Sequence, residues 1–259
     1  MDSLRGTVEA ARFVPGEPAR IIAPLTDLCR DPGGARDRQV LMGDAVTVVD
    51  RHDGWAFVQM NKDGFCGYVP EMALGTAEDA THWVAAPSTH LYPEPNLKVR
   101  EKAALTLNCR LRVIGESGKW AETTGGWVPA MHLKPIGDWH KDPVAVAQTF
   151  LGVPYLWGGN SKAGLDCSGL VQAALFACGR DCAGDSDLQR AMGTAVGDKQ
   201  ALKRGDLIFW KGHVAMAMNA DYMIHATAAY MAVVVEQTKA AIRRIKDAGD
   251  GEVIARRRP

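Results

Sequence analysis

The feature that most constrains this chain is an internal repeat. Gly54-Trp55-Ala56-Phe57-Val58, followed by Gly67-Tyr68-Val69-Pro70, lines up with Gly118-Lys119-Trp120-Ala121-Glu122 followed by Gly126-Trp127-Val128-Pro129, and each copy closes on a leucine, Leu74 and Leu133. Self-similarity of this kind means one small supersecondary unit used twice. Short β-prone runs alternate with turn residues in both copies: Ala45 to Val49, Trp55 to Met60 and Phe65 to Val69 in the first, and Leu105 to Cys109, Leu111 to Ile114, Trp120 to Thr123 and Trp127 to Val128 in the second. Asp53-Gly54 and Asp63-Gly64 between such runs are hairpin signals. The aromatic side chains Trp55, Tyr68, Trp120 and Trp127 are expected in the cores, which large rings dominate in small domains.

A Gly-Trp strand, a hairpin and a Gly-aromatic-Val-Pro closing strand resemble bacterial SH3-like domains over most of residues 21–134. That resemblance implies two small all-β barrels, at residues 1–78 with an N-terminal extension and at residues 79–137. Pro135 to Asp142 reads as a linker. A third domain, residues 138–259, then follows a different pattern. Val144 to Leu151 is spaced for one helical face and stops at Pro154. Leu170 to Cys178 is an apolar helix, a further helix is expected near Leu188 to Met192, and strands follow at Leu207–Trp210, 213–218, 222–226 and 233–237. Helices first and an antiparallel sheet afterwards indicate an α+β domain. Arg256-Arg257-Arg258 reads as a solvated tail.

Charge narrows the partners. Lys+Arg 30 against Asp+Glu 30 leaves no field to draw nucleic acid or an anionic membrane, so a small molecule or peptide is the expected partner. No stretch has the apolar length of a membrane span, and Met1 to Pro18 contains no apolar run of signal-peptide length. A cytoplasmic protein with its six cysteines reduced is therefore expected. Cys178 and Cys182 have a spacing a metal can use, but no second pair completes a site, and no metal or other cofactor is expected.

The chemistry concentrates at Gly164-Leu165-Asp166-Cys167-Ser168-Gly169. A glycine-flanked turn feeding an apolar helix puts Cys167 at a helix N-terminus, where free amides and the helix dipole favour a thiolate. His213 and His225 flank Asn219-Ala220-Asp221 symmetrically, so a hairpin turning there sets them opposite or diagonal. If both face the cysteine's helix, Cys167 attacks, His213 is the base and then the acid, and His225 holds the His213 ring. The Cys167 amide then helps to stabilise an oxyanion. Asp166 either receives a substrate ammonium or caps the helix.

Pro154-Tyr155-Leu156-Trp157-Gly158-Gly159, Asp166-Cys167-Ser168-Gly169-Leu170-Val171-Gln172, Arg204-Gly205-Asp206-Leu207-Ile208-Phe209, His213-Val214 and Ile224-His225-Ala226 together resemble the NlpC-type papain-like cysteine peptidases of bacteria, over roughly residues 140–237. With paired SH3-like domains in front, the architecture is similar to the subgroup that cuts γ-D-glutamyl-diamino acid bonds in murein peptides with a free N-terminal L-alanine. The resemblance implies nucleophile, base and orienting roles for Cys167, His213 and His225, and substrate contacts for Tyr155, Asp166, Ser168 and Ser186. It implies recycling of cell-wall peptides, with Tyr68 and an acid among Asp27, Asp31 and Asp44 closing the pocket for the substrate's amine. Two departures stand out: Gly184 precedes Asp185-Ser186 where relatives carry arginine, and the loop between Phe209 and His213 is short. A thiol-dependent amidase or acyltransferase, and a non-catalytic wall-binding module, are the alternatives.

Overall fold

The computed structural model describes residue 9 and residues 14–259; most of the segment read as lacking a signal sequence lies outside these. The chain divides into two units, one running through Val84 with Thr89–Ile136 and one formed by Ala85–Ser88 with Gly137–Pro259.

The first unit is built from strands. A seven-stranded antiparallel sheet runs in the order Arg36–Leu41, Leu25–Cys29, Cys66–Pro70, Trp55–Met60, Ala45–His52, Glu17–Ile21, Leu74–Gly75. Asp53 and Gly54 both have positive φ, 48° and 77°, the conformation that a tight hairpin joining right-twisted strands demands. Along the Trp55–Met60 strand exposure alternates, with Ala56, Val58 and Met60 buried. They enter a core with Ile21, Leu28, Val40 and Val46. The expectation for the aromatic rings is corrected here: Trp55, Tyr68, Trp120 and Trp127 are only half-buried, because the two-residue period of each strand gives the inward positions to their smaller neighbours. Tyr68 packs on Phe57 with ring centroids 5.0 Å apart.

The repeat reappears in the backbone. Trp55 pairs with Pro70 and Trp120 with Pro129. One turn of 3-10 helix follows each proline, at Glu71–Ala73 and Ala130–His132. The closing leucines then return to the opening strands, Leu74 opposite Ile21 and Leu133 opposite Val84. Both copies carry a bulge at the same distance before the tryptophan, beside Val49 and Ile114. A bulge bends its strand and adds local twist. Leu41 joins Val84, Leu91, Leu105 and Val128 in one buried cluster, so the two copies share apolar surface.

In the second unit, helix α1 (Pro143–Gln148) starts at Asp142, whose carboxylate caps the Val144 amide. Helix α2 (Cys167–Phe176) is buried on nearly all sides, from Cys167 to Leu175, as a central helix must be. Helix α3 (Ser186–Gln189) is one turn, and helix α4 (Thr238–Asp247) lies beyond the last expected strand. The sheet has six antiparallel strands in the order Thr194–Ala195, Ala255–Arg258, Leu207–Trp210, His213–Ala217, Tyr222–Thr227, Ala232–Gln237.

The arginine tail is therefore not a solvated end. Ala255–Arg258 inserts between two strands, pairing Arg257 with Leu207. Arg258 holds the buried Asp206 bidentately, Nε to Oδ1 and Nη2 to Oδ2 at 2.7 Å each. Three consecutive arginines read as solvated because sequence shows their charge but not the partners waiting for it.

Burial pushes the Asp206 carboxyl up, but the bonds from Arg258 and the Lys203 amide hold it below the ordinary carboxylate range. A depressed folded pKa adds stability that is present above the unfolded value and lost as pH falls through the folded one. Arg258→Ala is thus expected to lower the thermal unfolding midpoint at neutral pH by roughly a few degrees. Its gap from the parent chain, followed by circular dichroism, closes below about pH 4.

Candidate active site

The site begins with the Asp166 carboxylate. Its Oδ1 accepts from the Gly169 amide at 2.6 Å and the Ser168 hydroxyl at 2.9 Å, and its Oδ2 accepts from the Gly158 amide at 2.9 Å. One side chain thus caps α2 and ties the Tyr155–Gly159 loop to it. Close approach needs glycine here: a Cβ on Gly169 would stand 2.3 Å from the Gly159 carbonyl oxygen. Cys167 is the first residue of the capped helix, and its sulfur receives hydrogen bonds from the Val214 and Ser168 amides.

Val214 follows His213, so the thiol sits where the His213–Ala217 strand begins. His213 and His225 meet through Nε2 and Nδ1 at 2.9 Å. The strands pair Met216 with Ile224 and Ala217 with Met223, one step from the symmetric register, so the histidines meet diagonally. Both histidines share one face of the sheet. His213 pairs with Trp210 and Ala215 with Ile208, and Ile208, Trp210, Ala215 and Met223 pack with Ala241 and Ile245 of α4. Strand alternation therefore puts both histidines on the face that α4 covers.

Sequence reasoning passed over the next member. Glu236 Oε1 lies 2.9 Å from His225 Nε2, and Arg244 Nε donates to Glu236 Oε2 at 3.1 Å. Val234 pairs with His225, and Glu236 stands two residues on, hence on the same face. The available signal was an acidic residue at an alternate position of a valine-rich strand. Gln189 was also missed: its Nε2 bonds the Ser168 and Ala183 carbonyls at 3.1 and 3.0 Å, fastening α3 to the cysteine's turn.

Of the residues expected to touch substrate, Asp166 and Ser168 adjoin the thiol and bond each other. Tyr155 is near enough that Cys167 and Asp166 both add to the burial that raises its phenol to about 12. Ser186 is buried at the start of α3, beside Asp185, whose charge reaches Cys167. In the first unit, Asp27 and Gln39 line a cleft with Trp55, and Asp44 is engaged with Lys62 at 2.7 Å and with the Leu41 amide. Among the described residues no group of histidine, cysteine and carboxylate side chains is arranged to hold a metal.

The thiolate expectation is corrected. Burial, followed by the Asp166 charge, pushes the Cys167 thiol up to about 12, against the pull of the Val214 and Ser168 amides. The positive end of α2 is neutralised by its own cap. Burial, with His225 and Arg244, also drives His213 down to about 3. At rest the Cys167 thiol and the His213 imidazole are both neutral.

Residues 152–246 match the NlpC/P60 family, and residues 28–74 match the bacterial dipeptidyl-peptidase SH3 domain. Over 231 residues the chain is 31% identical to a gamma-D-glutamyl-L-lysine dipeptidyl-peptidase of Bacillus cereus, covering 76% of this chain and 69% of that protein. A protein of the same name from Bacillus subtilis is 28% identical over 227 residues, 77% of this chain and 74% of its own. In fold, the crystal structure of an NlpC/P60 family protein from Bacillus cereus superposes with a TM-score of 0.79 at 24% identity, covering 93% of this chain and 99% of that one.

A raised thiol pKa makes alkylation climb with pH. The rate of iodoacetamide modification at Cys167, read by peptide mass to separate it from the exposed Cys66, is expected to rise about tenfold per pH unit from pH 6 to 9. A plateau below pH 7 would reveal a preformed thiolate instead.

Proposed function

We propose that this chain, which belongs to the NlpC/P60 family of cysteine peptidases, hydrolyses the γ-D-glutamyl-diamino acid bond of murein peptides that carry a free N-terminal L-alanine. The observation that carries the reading is the hydrogen-bonded histidine pair on the strand whose Val214 amide reaches the Cys167 sulfur. Similarity across three quarters of the chain to proteins named gamma-D-glutamyl-L-lysine dipeptidyl-peptidase supplies the substrate class.

In this mechanism His213 takes the thiol proton as Cys167 sulfur attacks the γ-carbonyl carbon. The oxyanion forms against the Cys167 amide at the start of α2. Collapse breaks the C–N bond, the leaving amine takes the proton from His213, and water, deprotonated by the same imidazole, hydrolyses the thioester. His225 orients the ring throughout.

Asp166, Ser168, Tyr155 and Ser186 are assigned to binding the L-alanyl end. An ammonium at the Asp166 carboxylate makes a charge-assisted bond. A free amine is present on peptides released from the wall, which suits a cytoplasmic recycling enzyme. The SH3-like portion is read as two barrels of one design, a reading supported by the paired bulges, Trp–Pro pairs and 3-10 turns of the repeat. The catalytic fold is read as papain-like, with its cysteine heading a buried helix against an antiparallel sheet.

Purified protein is expected to release the free diamino acid from L-alanyl-γ-D-glutamyl-L-lysine or the diaminopimelate equivalent, identified by mass. Cys167→Ala abolishes the release, and N-acetylation of the alanine suppresses it by on the order of a hundredfold. Equal cleavage of the acetylated peptide would remove the free-amine requirement.

A further inference from the structure

We propose that Glu236, clamped by Arg244, sets the order of protons across the two histidines and leaves Nδ1 as the unprotonated nitrogen of His213. The proposal rests on the reading of Cys167 and His213 as nucleophile and base, and it makes Glu236 a positioning residue that acts through His225.

An ionised carboxylate only accepts hydrogen bonds. Glu236 stays ionised: burial pushes its carboxyl up, but the bonds from Arg244 and His225 outweigh that and hold it below the usual range. His225 Nε2, 2.9 Å from Oε1, must therefore carry hydrogen. His225 is 1% exposed, and burial, opposed by Glu236, keeps its imidazole on the neutral side. Its Nδ1 is then a lone pair. His213 Nε2, 2.9 Å away, must supply the hydrogen for that contact, and it is the only one a neutral His213 has. The reverse order would point the Nε2 lone pair of His225 at a carboxylate oxygen.

Glu236 faces His225, Arg244 and the Tyr230 hydroxyl, which donates to Oε2 at 3.3 Å. Arg244 lies 5.2 Å over the Tyr230 ring, and Asp250 adds to its charge environment from beyond α4. His213 faces His225 and the Trp210 ring, with Arg244 and Glu236 acting on it from behind; Asp166 and Asp185 act on the thiol. During acylation the Glu236 charge, relayed through the fixed His225 ring, stabilises the imidazolium that His213 becomes. No proton passes to Glu236.

The test combines kinetics with nitrogen-15 spectra of histidine-labelled full-length protein. In the parent chain without substrate, both His225 and His213 are expected as Nε2–H tautomers. Glu236→Gln, whose amide can donate to His225, is expected to mix the tautomers and lower kcat on the order of tenfold to a hundredfold with little change in KM. The acid limb of kcat/KM moves in opposite directions for the two members of the clamp. Losing the carboxylate in Glu236→Gln lowers the base's pKa and moves the limb to lower pH; losing the cation in Arg244→Met moves it to higher pH. Arg244→Lys, which keeps the cation, leaves the limb in place. Simple loosening of the fold would not give opposite shifts. An Nδ1–H tautomer for His225 in the parent chain, or parental kcat and pH profile in Glu236→Gln, overturns the proposal. The spectra need no substrate, so a chain that shows the expected tautomers yet spares the tripeptide sinks the substrate reading and upholds the proton order.

Discussion

Most of the active unit hangs on what the Asp166 carboxylate accepts. A helix start leaves amides without partners, and a buried start needs them satisfied. Asp166 does this for Gly169 while reaching back to Gly158 and across to Ser168. The residue between Asp166 and Ser168 then has little freedom in where its side chain begins, and that residue is Cys167. The loop bearing Tyr155 is held by the same carboxylate at Gly158, and just upstream Leu156 N donates to the Leu165 carbonyl and Leu165 N to the Pro154 carbonyl. A single carboxylate so determines both the position of Cys167 and the loop beside it.

The cost of this arrangement appears in the electrostatics. A carboxylate at the cap cancels the influence that would lower a thiol pKa at a helix N-terminus, and burial acts in the same direction. A neutral Cys167 thiol and a neutral His213 imidazole make no resting ion pair. On the proposed mechanism, attack is coupled to proton transfer, and the tautomer of His213 matters more than its basicity. On the proposed assignment of Asp166, an arriving ammonium would offset the charge that raises the Cys167 thiol.

The sequence made legible whatever is local. The Asp-Gly turn at 53–54, the repeat, the Asp166 cap and the strands from Leu207 to Gln237 all follow from neighbours within a few residues. Pairing of His213 with His225 was also within reach, because a short hairpin turn constrains register. What stayed hidden depends on partners far along the chain. Glu236 gains meaning only once the Ala232–Gln237 strand is set beside Tyr222–Thr227, and Arg258 only once the chain's last strand finds Asp206, which precedes Leu207. The tryptophans misled for a different reason. Their size argued for the core, whereas the parity of their strands gave the interior to Ala56, Val58 and Val128.

Helix α4 shows how packing and chemistry are joined by one helical period. Ala241 and Ile245 are buried against the sheet face formed by Ile208, Trp210, Ala215 and Met223. Arg244 falls three residues after the first and one before the second, so the face that anchors the helix also carries the guanidinium to Glu236. Apolar contact sets how deep α4 sits, and that depth sets the distance from Arg244 to the carboxylate and so to the histidines on the same sheet face. A core change under α4 therefore reaches the His213–His225 pair through Arg244 and Glu236.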